Sequence, residues 1–214
     1  MGAKIRIPDR MPYLCPKHRH MKTARCMVLG IFSVALVLGA CHEGTSQKDP
    51  ARSDSISVQS PTPSDTLALQ MNQVLDDYYQ LKEAFVQSDM SSADRAAGPL
   101  EAHVGALVFE EFSGDATRFS QAQSAQKSIL AELAGLKGES TLLGKRQEFQ
   151  MISDILYDLI KATGLKGQTV YRDFCPMFNQ GNGAYWLSSV KDIRNPYYGK
   201  DMLECGQISQ TIQF

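Results

Sequence analysis

The chain has almost no net charge. It carries 22 Lys and Arg against 23 Asp and Glu over 214 residues, a formal −1 at neutral pH. So even a balance gives no reason to expect nucleic acid as a partner. Catalytic signatures are missing too: no Gly-x-Ser-x-Gly, no His-Glu-x-x-His and no phosphate loop. Of four histidines, His103 alone falls in the part expected to fold. It lies beside Glu101 without an evident nucleophile and reads as a partly exposed helix residue. The expectation is a protein that is not an enzyme. A long hydrophobic run is also missing. Met27 to Ala40 is apolar over about 14 residues, whereas a helix crossing a bilayer core of ~30 Å needs about 20. There is a single tryptophan, Trp186, and five cysteines.

The short apolar run has a different meaning. Lys22 and Arg25 precede it, and Leu38-Gly39-Ala40-Cys41 ends it. This is the build of a secretory signal, and it resembles a bacterial lipoprotein signal whose Cys41 thiol is the lipidation site. The alternative is an ordinary signal peptide cut after Ala40. Residues 1–20 are basic and proline-bearing without apolar periodicity, so Met21 reads as the start and the first twenty residues as an extension. Residues 1–40 are then an extended leader. Residues 41–65 follow as a lipidated cysteine and a tether rich in Ser, Thr, Pro, Gln and Asp, too polar to pack a core. Residues 66–214 remain as the folded domain. Its place is the bacterial cell envelope, lipid-anchored and facing the periplasm.

Within that domain, apolar residues recur at spacings of three and four. Leu67, Met71, Val74, Leu75, Tyr78, Leu81 and Phe85 predict a first helix. Ser91 to Asp94 reads as the capping box of a second, with Ala93, Ala97, Leu100, Val104 and Leu107 on one face and Gly98-Pro99 expected to kink it or delay its start. Asp115 is the expected cap of a third, whose buried side carries Phe119, Ala122, Gln126, Ile129, Leu130, Leu133 and Leu136. The fourth turns Phe149, Ile152, Leu156, Leu159 and Ile160 inward and stops at Gly164. Four helices with short joins predict an all-α core, an antiparallel four-helix bundle. After Gly164 the pattern changes. Thr169 to Phe174 suits an extended strand, Ala184 to Leu187 a second and Ile208 to Phe214 a third. Gln180 to Gly183 and Asn195 to Gly199 are turns by composition. This tail is expected to be a small irregular C-terminal cap with short strands.

The tail also holds the chemistry. Once Cys15 and Cys26 leave with the leader and Cys41 is acylated, Cys175 and Cys205 remain. Each has a methionine close by, in Cys175-Pro176-Met177 and in Met202-Leu203-Glu204-Cys205. Thiolate and thioether sulfurs are soft donors suited to Cu(I), and Ag(I) fits in the same way. Cys175, Met177, Met202 and Cys205 are therefore a candidate metal site, with the last two on one face of a helical turn. Zinc is less favoured, because methionine is a poor zinc ligand. The competing state is a Cys175–Cys205 disulfide with both methionines as core filler, which an oxidising compartment favours. Tyr185, Trp186, Tyr197 and Tyr198 either pack the cap on the bundle or form a partner-binding surface. Arg194 and Asp192 are expected to pair locally.

At these residues the chain resembles the bacterial domain-of-unknown-function family numbered 3347. The motifs are Cys175-Pro-Met177, Gly183-Ala-Tyr-Trp-Leu-Ser188, Ile193-Arg-Asn-Pro-Tyr-Tyr-Gly199, Met202-Leu-Glu-Cys-Gly206 and Lys145-Arg-Gln-Glu-Phe149. With the helix before the last of these, the resemblance spans roughly residues 67 to 210. It implies an exported protein of the Bacteroidetes type, often a lipoprotein, related to C-terminal extensions of adaptor subunits in heavy-metal efflux. A heavy-metal efflux or envelope protein is the partner so implied. Relatives often follow Cys-Pro-Met with histidine; here Phe178 stands in that place. Gln123 and Gln126 stand where relatives commonly have histidine or tryptophan. Both departures weaken a site containing histidine.

Overall fold

The computed structural model describes residues 62–214. The leader, the Leu38–Cys41 signal and nearly all of the tether lie outside the described residues. Among those residues no helix is long and apolar enough to cross a membrane.

Helix α1 runs Asp65–Val86 and is capped by Ser64, whose hydroxyl accepts from the Leu67 amide. Its three-and-four stripe is buried from Leu67 to Phe85. The helix ends in a Schellman motif: Ser88 takes φ 58°, its amide bonds the Phe85 carbonyl, and the Asp89 amide reaches back to Ala84. That reversal moves the start of the next helix. Helix α2 spans Met90–Gly105 and its cap is Asp89, which accepts from the Ser92 amide at 3.0 Å. The expected capping box at Ser91 does not form, because the chain has already turned at Ser88. Nor does Gly98-Pro99 delay the helix. Pro99 lies inside it on the exposed side, where the carbonyl left without an amide partner faces water.

Helix α3, Ala116–Gly138, is capped by Asp115 as its sequence suggests. It buries Ala122, Ile129, Leu133 and Leu136. Gln126 donates from Nε2 to the Val104 and Leu107 carbonyls at 2.8 and 3.1 Å, closing the open end of α2. Helix α4, Leu142–Thr163, is capped by Thr141 and ends at Gly164 with φ 77°. Lys145 is buried on α4. Its ammonium meets Asp94 Oδ1 at 2.6 Å and the Leu136 carbonyl at 2.7 Å, so its charge is compensated.

Strands β1 (Thr169–Cys175), β2 (Ala184–Ser188) and β3 (Gln207–Gln213) form one antiparallel sheet in the order β2-β1-β3. The β1–β3 register slips between Arg172 and Asp173, where β3 carries the extra residue Ser209. Four helices and this small sheet give the expected bundle with a strand-bearing cap.

The join between bundle and sheet is aromatic and hydrogen-bonded. Tyr78 of α1 is fully buried, shares a 2.8 Å bond with Ser153 of α4 and accepts from the Leu187 amide of β2 at 3.0 Å. Its ring stacks on Phe149, which also touches Phe85 and Tyr197. Tyr197 in turn contacts Phe178 and Trp186. One aromatic chain thus leads from the bundle core into the cap.

Candidate functional site

The antiparallel β1–β3 pairing brings the two sulfur-bearing segments to the same end of the sheet. Cys175 is the last residue of β1, and Phe174 pairs with Gln207, so Cys205 sits just beyond the start of β3. Cys205 Sγ is 3.8 Å from Met177 Sδ. Partial burial raises the Cys205 thiol above its ordinary pKa, and the adjoining Cys175 thiol adds to the rise. Cys175 is buried, Cys205 partly so, Met177 is 47% exposed, and both cysteines are free thiols. Three of the four expected sulfurs are therefore neighbours. Met202 joins them through its carbonyl, which accepts from the Cys205 amide at 3.1 Å, while its side chain is 40% exposed. Among the described residues no three His, Cys, Asp or Glu side chains gather as a metal site. A site here would have to use methionine sulfur.

The Ile193–Gly199 loop holds these segments in place. Asn195 is completely buried. Its Nδ2 donates to the Cys205 carbonyl at 2.6 Å and its Oδ1 accepts from the Tyr197 amide at 2.8 Å. Its backbone amide bonds the Leu203 carbonyl at 2.8 Å. Tyr198 donates its hydroxyl to the Met177 carbonyl at 3.1 Å. One loop therefore grips both sulfur-bearing segments. Arg146 of α4 fastens the loop to the bundle, donating to the Pro196 carbonyl at 2.8 Å, the Phe85 carbonyl at 3.2 Å and Ser88 Oγ at 3.0 Å. By composition Asn195-Pro196 reads only as a turn. Its role as a hub depends on residues far away in sequence.

The aromatic group divides. Trp186 and Tyr197 are buried, at 0% and 2% exposure, within the Phe149–Phe178 chain of contacts, and the Tyr197 hydroxyl bonds the Tyr185 carbonyl. These two belong to the core and present no surface to a partner, so of the two readings offered by the sequence they follow the one in which the group packs the cap on the bundle. Tyr185 and Tyr198 stay partly exposed. Arg172 lies over the Tyr185 ring at 3.8 Å and the Tyr157 ring at 4.1 Å. Arg194 does not pair with Asp192. It reaches α1 and meets Glu83 at 2.5 Å. His103 also has a partner the sequence did not announce, Asp77 Oδ2 at 2.5 Å from Nδ1.

Asp173 was not singled out by its sequence setting. It is fully buried on β1, and neither carboxylate oxygen has a hydrogen-bond partner. The cross-strand Trp186 has its Nε1 in the same condition. Burial pushes the Asp173 carboxyl up to about 7, against the opposing influence of Lys82. Lys82 is itself buried, and the same loss of hydration lowers its pKa.

Residues 74–168 match the family model described as Protein of unknown function (DUF3347). The match begins within α1, covers α2 to α4 and ends just before β1. The resemblance noted in the sequence is thus supported over residues 74–168, whereas the sulfur-bearing motifs lie beyond the matched stretch. No curated protein and no solved structure matches the chain.

Proposed function

We propose that this domain binds a soft monovalent cation, Cu(I) or Ag(I), through Cys175, Met177 and Cys205, and serves heavy-metal handling at the bacterial envelope. The observation that carries the reading is the 3.8 Å separation of Cys205 Sγ and Met177 Sδ beside the Cys175 thiol. A metal about 2.3 Å from each of two sulfurs in a trigonal plane sets them about 4 Å apart, taking the bond length of a thiolate on a d¹⁰ ion. Two thiols and a thioether are the donor set that favours such an ion. Binding would ionise the thiols, so affinity should rise with pH. Arrival from outside is through Met177 and Cys205, the exposed members. The lipid anchor at Cys41 and an efflux or envelope partner belong to the same reading and rest on the leader and on the family resemblance.

The test is anaerobic Cu(I) competition against a chelator, with wild type beside Cys205→Ser and Met177→Leu. Cys205→Ser should lose on the order of a hundredfold or more in affinity, beyond the ~10–100-fold that a lost supporting hydrogen bond costs a metal site. Equal affinity in wild type and Cys205→Ser would sink the assignment. A second reading has its own support. Cys175 acts directly on the Cys205 thiol, and a disulfide there would stabilise the domain by roughly 3–4 kcal/mol. Counting thiols on protein purified without reductant separates the two: two free thiols favour the metal site, none favours the disulfide.

A further inference from the structure

The cavities of the domain differ in how their charges are satisfied. A groove of about 450 Å³ between α1 and α2 is lined by Asp77 and Glu83, which are paired with His103 and Arg194. Another of about 600 Å³ between α3 and α4 holds Asp158 and Lys161, which pair with each other. A smaller cavity of about 290 Å³ lies between the first turns of α4 and the tail. Phe178 and Tyr197 form its buried wall, with ring centroids 4.4 Å apart and nearly parallel. Gln147, Asn179 and Gln180 stand exposed at its mouth.

Arg146 is the one charged residue lining this cavity. Its described hydrogen bonds go to the Pro196 and Phe85 carbonyls and to the Ser88 hydroxyl, all of them uncharged. Among the described residues it forms no ion pair; Asp201 influences it only at longer range. A half-buried cation with no counter-charge in contact is costly to hold. Burial also lowers the Arg146 pKa, the direction that cost predicts. The mouth carries a second cost. Asn179 and Gln180 are consecutive non-glycine residues at φ 52° and 58°, in a left-handed region that Asn enters readily but that disfavours the Gln180 side chain by about 1–2 kcal/mol. Strain of this kind collects where a binding surface is shaped.

We propose that this cavity binds a small planar organic carboxylate. The ring would lie against Leu143 and Tyr198, over the edges of Phe178 and Tyr197, and the carboxylate would give Arg146 a counter-charge in direct contact, with the Asn179 and Gln180 amides as further donors. The cavity adjoins the Cys175–Met177 segment, yet the inference does not rest on metal binding, since none of its residues is a sulfur ligand.

The test uses the folded protein with benzoate as probe and benzamide as its neutral counterpart, followed by amide chemical-shift titration. Benzoate should shift Gln147, Asn179, Gln180 and Tyr198 saturably, about tenfold more tightly than benzamide, and less tightly as salt rises. Gln147→Glu places a negative charge at the mouth and leaves the Arg146 hydrogen bonds alone. It should weaken benzoate several-fold and benzamide far less. Arg146→Met removes the preference for the anion if the fold tolerates it; Gln147→Glu keeps the test decisive if it does not. Indistinguishable binding of the two probes, shifts mapping elsewhere, or benzoate affinity unaltered in Gln147→Glu would each overturn the proposal.

Discussion

Asp173 shows how a single buried residue sets the pH response. Its carboxyl is held near 7 by burial, whereas an unfolded chain releases the same proton near 3.9. The folded state therefore binds more protons than the unfolded state between those values. Stability attributable to this group is full below about pH 4 and is lost as pH rises through 7. A shift of about three units corresponds to roughly 4 kcal/mol at most. Asp173→Asn removes the ionisation while keeping the shape. Urea unfolding at pH 5 and pH 8 should show the variant gaining stability over wild type at pH 8, with a flatter pH dependence. A variant that is no more stable at pH 8 would contradict this account. Local sequence does not mark Asp173, because an acidic residue in a run such as Tyr171–Phe174 reads as strand surface. Its burial follows from which face of β1 the bundle covers, and local sequence does not carry that information.

At the level of elements, the critical junction is where three segments meet: the α1–α2 reversal, the start of α4 and the Asn195–Gly199 loop. Gly199 sits at φ +57°, and a Cβ there would come within 2.5 Å of Ser88 Oγ and 2.8 Å of the Val86 carbonyl. Gly199→Ala should therefore cost about 2 kcal/mol or more, from the left-handed backbone and from the collision with backbone that cannot move aside. Gly105 offers the contrast. It lies in the last turn of α2 with open space around it, so Gly105→Ala should stabilise by up to about 1 kcal/mol through helix propensity. Denaturant midpoints of the two variants check both signs together. The helices themselves were legible because a stripe repeating every three or four residues states which face is buried. The caps at Asp115 and Gly164 were legible for the same local reason. The Asp89 cap was not, since the serine at Ser88 takes a conformation more often given to glycine.

For the whole domain, the helices matched by the family model and the sheet that follows them share one core. Tyr78 and Phe149 complete their surroundings with Leu187 and Tyr197 from the tail. Residues 62–168 prepared alone should keep helical circular dichroism but lose cooperative unfolding and bind a hydrophobic dye, because the Tyr78–Phe149 face is left open. Residues 62–214 should unfold in a single cooperative step. A shortened chain that unfolds cooperatively at the same midpoint would show that the sheet is dispensable to the core.

The amino-acid sequence by itself determined the helical stripes, the change to strands after Gly164 and the placement of Cys175 and Cys205 in the tail. Each of these is written in spacings of a few residues, where the periods of helix and strand operate. Tertiary structure alone decided that Trp186 and Tyr197 are core, that Arg194 reaches Glu83, that Asn195 holds the Cys205 carbonyl, and that Arg146 ties three segments together through uncharged acceptors. Those outcomes join residues up to 111 positions apart. They depend on which buried donor meets which acceptor when the chain closes, a choice set by packing geometry and the cost of leaving polar groups unpaired.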